Sequence, residues 1–392
     1  MITISRSEKV SAYLGNIFEH YDTALFGFLS PFLAPLIFPK HDPVTALILT
    51  YAMIPLGMLA RPLGSIVFGY IGDVYGRGKA LFFTLAGMGI VSGCIAFTPL
   101  YDQVGVLAPL IFCAGRVLQN FFAAGETMGG AIFLLENTPE KRQDILSGLF
   151  NASTMVGHLL ASLGVFLLSA NWRMLYLLGS ITAFFGCNLR KSSQIVESKA
   201  QVNLREIYWK PLLVITFASG FGSACYSIAF VLMNGFIPLV SSLTKRDVMQ
   251  INTYLLIWDL VLLIFFGWLA QKFSRRKVMF CSSLSVVLFA IPLISLLKGA
   301  SLIDVIFVRA AFIAFGVAFF APFQAWACQF VPREGRYTIM ALGYALGTQL
   351  LGSPAAAIAL FCFQKTGMVS SVVWYWMALA FGTSIIGYKY VR

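Results

Sequence analysis

Apolar runs long enough to cross a lipid bilayer recur along almost the whole chain. Each is roughly 20 residues or longer, the length that spans a hydrocarbon core about 30 Å thick as an α-helix. Of the 392 residues, 59% are hydrophobic and 11% charged, and the mean hydropathy is +0.82. Soluble domains run near 45–50% apolar and about 25% charged. A water-soluble core cannot bury so much apolar surface, so lipid must be the solvent. Period-two alternation is absent, which excludes a β-barrel.

The runs predict twelve spans, near 11–38, 45–71, 80–99, 105–135, 144–169, 172–189, 209–241, 248–271, 278–297, 302–331, 337–364 and 370–390. Segment 190–208 is the one long polar stretch. The expected plan is an all-α membrane protein: a six-helix bundle over 1–189, a cytoplasmic linker over 190–208 and a second six-helix bundle over 209–392. A short charged turn after the second span, Gly69-Tyr70-Ile71-Gly72-Asp73-Val74-Tyr75-Gly76-Arg77-Gly78-Lys79, has a relative after the eighth, Gly267-Trp268-Leu269-Ala270-Gln271-Lys272-Phe273-Ser274-Arg275-Arg276-Lys277. Two pseudo-symmetric halves with a turn in corresponding places follow the parallel-repeat plan of secondary transporters, which holds a solute near the membrane midplane.

Net charge is +12, yet its distribution argues against nucleic acid. Only Lys40, Arg173, Lys245, Arg246, Lys298 and Lys365 fall in the loops opposite the N-terminus. Arg61, Arg116 and Arg309 lie within spans, and every other Lys and Arg is on the N-terminal side. The positive-inside rule then places both termini in the cytoplasm, in a bacterial inner membrane. The polar first ten residues and the long run after them do not fit a cleavable signal. The seven cysteines are dispersed without a CxxC, and the three histidines are scattered; no metal or other cofactor is expected. Short loops leave no room for a soluble catalytic domain, so an enzyme is not expected. Close glycine spacings, Gly125/Gly129/Gly130 and Gly343/Gly347, are read as tight helix packing.

Ionisable side chains inside spans each cost at least about 2.5–3.5 kcal/mol on insertion scales, so each needs a partner or a task. Glu19 and Asp22 share a face of the first span. Two close carboxylates in a low dielectric cannot both ionise cheaply, so one is expected to hold a proton. Glu19, Asp22, Arg116 and Glu126 are the candidates for proton coupling. Arg116, Gln119 and Glu126 continue one helical face. Arg116 stays charged and must find an anion, whether Glu19, Asp22, Glu126 or a substrate carboxylate. His20, Arg116, Gln119, His158, Asp259 and Arg309 are the candidates for solute contact, with Asp259 and Arg309 able to stabilise each other instead. At the cytoplasmic mouth, Asp73 can accept from a helix start near Arg336–Leu342, and Arg77 can pair with Glu136. Gly69, Asp73, Gly76, Arg77, Lys79, Glu136 and Arg142 form the candidate gate. The second turn has Gln271 in place of the acid, so its lock is expected to be weaker or missing.

Gly69-x-x-x-Asp73-x-x-Gly76-Arg77-x-Lys79 resembles the signature loop of the major facilitator superfamily. Arg116-x-x-Gln119 and Glu136-x-x-Pro139-x-x-Arg142 resemble its fourth-span motifs, with Asn120 where glycine is usual. Gly15-Asn16-Ile17-Phe18-Glu19-His20-Tyr21-Asp22, Arg61-Pro62-Leu63-Gly64 and Gly125-Glu126-x-x-Gly129-Gly130-Ala131 resemble one branch, the metabolite:proton symporters, which include proline/betaine and α-ketoglutarate transporters. His20 replaces that branch's tryptophan. The resemblance is dense over 13–145 and implies the major facilitator fold. It also implies proton-driven uptake of a small polar metabolite (organic acid, amino acid or betaine-like zwitterion) by alternating access, in a monomer. An exporter or exchanger, and a non-transporting sensor, are the alternatives. The fifth span, Gly157-His158-Leu159-Leu160-Ala161-Ser162-Leu163-Gly164, lacks the glycine-proline pattern of antiporters.

Overall fold

In hydrocarbon each backbone N–H and C=O must be satisfied within its own segment, which makes an apolar run a helix. A computed structural model describes residues 6–39, 46, 49–50, 53, 56–168, 171–191, 209–243, 245–333 and 335–390, and among them no strand occurs. The long rods are α1 (Arg6–Ile37), α2 (Arg61–Val74), α3 (Arg77–Ala96), α4 (Leu107–Glu136), α5 (Gln143–Leu168) and α6 (Trp172–Lys191). They continue with α7 (Trp209–Tyr226), α8 (Lys245–Lys272), α9 (Arg275–Ser295), α10 (Leu302–Phe320), α11 (Arg336–Leu346) and α12 (Trp374–Tyr390). Eight of the described helices are long and apolar enough to cross a membrane. α1 is 32 residues long, but Glu19, His20 and Asp22 dilute its apolar character. Residues 45, 47–48, 51–52 and 54–55 of the expected second span, and all of the linker after Lys191, lie outside the described residues.

Among the described residues three rods are interrupted, and proline accounts for two of the breaks. α10 stops at Phe320 and resumes as Phe323–Phe330 after Pro322, which has no N–H to continue the ladder. α11 passes through a π-helical segment, Gly347–Gly352, before Pro354 and resumes as Ala355–Thr366. There Ser353 N donates to Thr348 O at 2.7 Å, one residue beyond α-helical spacing. α7 likewise passes through a π segment, Ser227–Leu232, into Met233–Val240.

The chain divides into two compact units, Met1–Asn137 with Ser153–Ile207 and Arg333–Leu342, and Thr138–Ala152 with Tyr208–Pro332 and Gly343–Arg392. The start of α11 therefore groups with the first unit and the start of α5 with the second. In the first unit α3 packs on α6 and α4, α2 on α4, and α1 on α4 and α6. In the second, α9 packs on α12 and α10, α8 on α10, and α7 on α10 and α12. The same pairings recur six helices later, so this is a twelve-helix membrane protein built from two pseudo-symmetric six-helix bundles.

Glycine permits the closest approaches. A Cβ at Gly64 would stand 2.0 Å from Phe121 O across the α2–α4 contact, and one at Gly347 would stand 2.1 Å from both Thr216 O and Ser219 Oγ. Gly27, inside α1, has nothing within 4 Å of its Cβ position. Gly64→Ala is therefore expected to destabilise the protein by about 1–3 kcal/mol through overpacking. Gly27→Ala should be neutral or stabilise by up to about 1 kcal/mol. Thermal melts of the two variants in detergent, side by side, check this contrast.

Candidate functional site

The polar groups of α1 sit one turn before its apolar half, where Leu25, Phe26, Leu29 and Leu33 enter the core with Phe112, Trp172 and Tyr176. Asn16 opens the polar face and donates to Ser153 Oγ at 2.7 Å and Thr154 Oγ1 at 3.0 Å. Glu19 and Asp22 are 0% and 3% exposed, and each belongs to its own network.

Asp22 Oδ2 accepts from Ser92 Oγ and, at 3.4 Å, from Gln119 Nε2. Gln119 Nε2 also donates to Ser92 Oγ at 2.8 Å, and Arg116 donates to Gln119 Oε1 at 2.6 Å. The Arg116 guanidinium lies 4.7 Å from the centroid of the Phe26 ring, a favourable placement for a cation. Arg116 was expected to meet an anion directly. Among the described residues no ion pair joins it to a carboxylate, and Gln119 stands between it and Asp22.

Glu19 accepts from Thr127 Oγ1 at 2.6 and 2.7 Å and pairs with Arg61 at 3.7 Å. Arg61 Nε donates to Asn120 Oδ1 at 2.9 Å, and Asn120 Nδ2 donates to Arg116 O at 2.9 Å. The cation beside Glu19 is thus Arg61 rather than Arg116. Asn120, the departure from the usual glycine, is the amide that links them. Glu126 is fully buried and accepts from Thr84 Oγ1 at 2.8 Å. The structure therefore gathers Glu19, Asp22, Arg116, Gln119 and Glu126 in one unit. It adds Arg61, Thr84, Ser92, Asn120 and Thr127, which sequence reasoning did not select. Single hydroxyls inside apolar runs carry no pattern; Arg61 and Asn120 were visible, as a charge within a span and as a departure from a motif.

His20 and His158 come together, their ring centroids 5.5 Å apart in a T-shaped contact. His20 Nδ1 lies 2.9 Å from Asn16 O. In the second unit Arg309, fully buried, donates to Asn252 Oδ1 at 2.5 Å and to Ala229 O at 3.2 Å. It does not pair with Asp259. Asp259 is buried on α8 without a hydrogen bond or ion pair among the described residues. The two are separate features of the second unit.

The turn after α2 requires glycine at one place, Gly76, whose φ of +103° leads into α3. Asp73, 1% exposed, accepts from Tyr337 N at 3.2 Å and from Thr338 N and Oγ1 at 2.9 and 2.8 Å, at the first turn of α11. An acid bonded to the free N–H groups of a helix start complements the helix dipole. Arg77 pairs with Asp73 and, at 3.5 Å, with Glu136, while Arg336 reaches Glu136 at 2.9 Å. Gly69 backs onto Thr338, where a Cβ would fall 2.7 Å from Thr338 Cα. Lys79 is half-buried and Arg142 exposed.

The second lock was expected to be weaker or missing, and among the described residues it is not missing. Arg275 pairs with Asp144 at 2.8 Å and donates to Ala325 O at 3.1 Å. Gly267 backs onto Gly148, 3.1 Å from its Cα to an added Cβ. The acid comes from the start of α5 instead of from the turn itself. Beside it, Asn151 and Gln324 exchange hydrogen bonds at 2.6 Å, Asn151 donates to Phe320 O at 2.9 Å, and Ser147 donates to Ala321 O at 2.6 Å. Side chains of α5 thus serve carbonyls at the break in α10.

A family model described as "Sugar (and other) transporter" matches residues 9–193. Over 96% of its length the chain is 26% identical to a putative proline/betaine transporter of Staphylococcus haemolyticus, covering 84% of that protein. Over 97% of its length it is 27% identical to a citrate-proton symporter of Klebsiella pneumoniae, covering 91% of it. A solved structure of the proton:xylose symporter XylE, a major facilitator superfamily protein, is similar over 98% of this chain and 95% of its own, with a TM-score of 0.77 and 14% identity; that likeness concerns the fold. With the repeated helix pairings and the Asp73 turn seated on the start of α11, these findings show an integral, multi-pass membrane protein with the fold of that symporter structure, similar in sequence to transporters that include the proline/betaine type.

Proposed function

We propose that the protein imports a small polar organic metabolite together with protons, by alternating access, across a bacterial inner membrane with both termini in the cytoplasm. The observation that carries this reading is the pair of fully buried carboxylates on one face of α1, held in two adjoining networks. Burying a carboxylate away from water is costly unless it is paired or protonated. Glu19 has a cation at 3.7 Å; Asp22 has only neutral donors bonded to it. Asp22 is the better carrier, ready to hold a proton when its surroundings are dry and to give it up when they are wet. Glu19, with Arg61, sets the charge balance beside it. The solute is an organic acid, an amino acid or a betaine-like zwitterion, the classes named for the relatives. Asp73, Arg77, Glu136 and the first turn of α11 act as the cytoplasmic latch.

Proteoliposomes test the coupling. An inward proton gradient should drive accumulation of radiolabelled proline, glycine betaine or citrate, offered separately. Asp22→Asn should abolish gradient-driven accumulation while leaving solute exchange, and Glu19→Gln should reduce it. Coupled uptake that survives in both variants ends this reading.

Hydrogen exchange tests the latch. A hydrogen bond to a charged group is worth about 1.5–3 kcal/mol. Asp73→Asn should therefore speed exchange of the Tyr337 and Thr338 amides by roughly tenfold to a hundredfold, measured in detergent, and change the uptake rate. Unchanged exchange and rate remove Asp73 from the latch.

A further inference from the structure

The network around Asp22 has a direction. Arg116 can only donate, so Gln119 must turn its oxygen to it and its nitrogen away. Gln119 Nε2 then donates to Ser92 Oγ, and Ser92 donates onward to Asp22 Oδ2. Every hydrogen in this chain points at Oδ2. The chain ends in a guanidinium with no acceptor site, and it passes through an amide that does not titrate. No proton can enter or leave Asp22 along it.

The other oxygen is different. Asp22 Oδ1 is buried with no hydrogen-bond partner among the described residues, and so are Arg116 Nε and the Tyr176 hydroxyl. All three side chains are at least nine-tenths buried. Oδ1 is aimed at α6: a Cβ added to Gly179 would stand 2.4 Å from it. Tyr176 lies one turn earlier on the same face of α6. Arg116 and Tyr176 are close enough for each to interact electrostatically with Asp22 and with the other. The charged and titratable groups around Asp22 are Arg116 from α4, Tyr176 from α6 and Tyr21 on its own helix, the last engaged with Leu175 O at 3.0 Å; α3 contributes the neutral Ser92.

Three buried polar atoms without partners, on side chains that interact electrostatically with one another, supply the two to four polar contacts that a bound water needs. We propose that Asp22 Oδ1, Arg116 Nε and the Tyr176 hydroxyl hold one buried water, and that Asp22 exchanges its proton through this water. The functional half of the inference rests on Asp22 being the proton carrier; the water site stands by itself. Arg116 Nε–H donates to the water oxygen, the water donates one hydrogen to Oδ1, and the Tyr176 hydroxyl takes the third contact. When a proton arrives, the water passes one of its hydrogens to Oδ1, forming the carboxylic O–H, and keeps the incoming one, so it remains neutral. The cationic Arg116 disfavours hydronium at this place, which makes the water a relay and Asp22 the store. Tyr176 is a positioning residue, and Gly179 keeps the space open.

Infrared difference spectroscopy of the purified full-length protein, with a pH jump as the trigger and no solute added, reads the site directly. An O–H stretching band that shifts in heavy-oxygen water is expected, together with a carboxyl band lost in Asp22→Asn. Tyr176→Phe keeps the buried ring and should lose the water band while retaining the carboxyl band, with slower protonation after the jump. Gly179→Ala, which places a methyl against Oδ1, should also lose the water band. A water band absent from the parent protein, or unchanged in both α6 variants, overturns the proposal. These outcomes do not depend on transport: coupled uptake without the water band would leave symport standing and remove the relay. The band without coupled uptake would do the reverse.

Discussion

Lipid offers no hydrogen bonds. Any polar side chain placed in a span must therefore find its partner within the protein. That constraint explains why the polar residues of the first unit occur as a connected set. Asn16 needs Ser153 and Thr154; Glu19 needs Thr127 and Arg61; Arg61 needs Asn120; Arg116 needs Gln119 and the face of Phe26. Removing one member leaves another unsatisfied, so the set behaves as a unit. It is also what makes a buried acid useful, because the same dryness that penalises its charge makes its protonation sensitive to the arrival of water.

The two related turns show how one architectural task can be met with different side chains. In the first unit the acid lies on the turn, at Asp73, and binds the backbone of an arriving helix start. In the second unit the turn carries Gln271, and the acid lies on the arriving helix, at Asp144, where the turn's Arg275 meets it. In both cases a glycine on the end of the earlier helix, Gly69 or Gly267, lets the newcomer approach to backbone contact. The charge has changed sides while the geometry is kept. The glycine of the first turn, Gly76, is matched by Ser274 with a φ of 165°, extended backbone open to any residue, so the second turn needs no glycine there.

Much of the fold was legible in the sequence. Span length and hydropathy alone located the rods, and the turn pattern located the repeat, since both follow from the thickness of the bilayer and from simple spacing. The acids of α1, Arg116 with Gln119, and the Asp73 turn were legible too, because a charge in an apolar run stands out. What stayed hidden was pairing. Which cation faces Glu19 depends on the rotation of α2 against α4, and that is set by Gly64 meeting Phe121 O. Asp144 is an acid in the first turn of a helix, a placement that says nothing of its partner. Ser92, Thr127 and Tyr176 look like filler in one dimension, and their meaning comes from the neighbours that packing brings. The π segments of α7 and α11 were equally unmarked, apart from Pro354.

The Asp73–Thr338 hydrogen bond joins residues 265 positions apart. Ribosomes extend a chain at about 5–20 residues per second, so Asp73 enters the membrane tens of seconds before its partner exists. Throughout that interval the first unit lacks the segment Arg333–Leu342 that completes it, and Asp73 has no helix start to accept from. Arg77, only four residues away and already bound to it, is the sole early companion the pairings above provide. The ion pair thus serves as a chaperone for its own carboxylate until the last sixth of the polypeptide emerges.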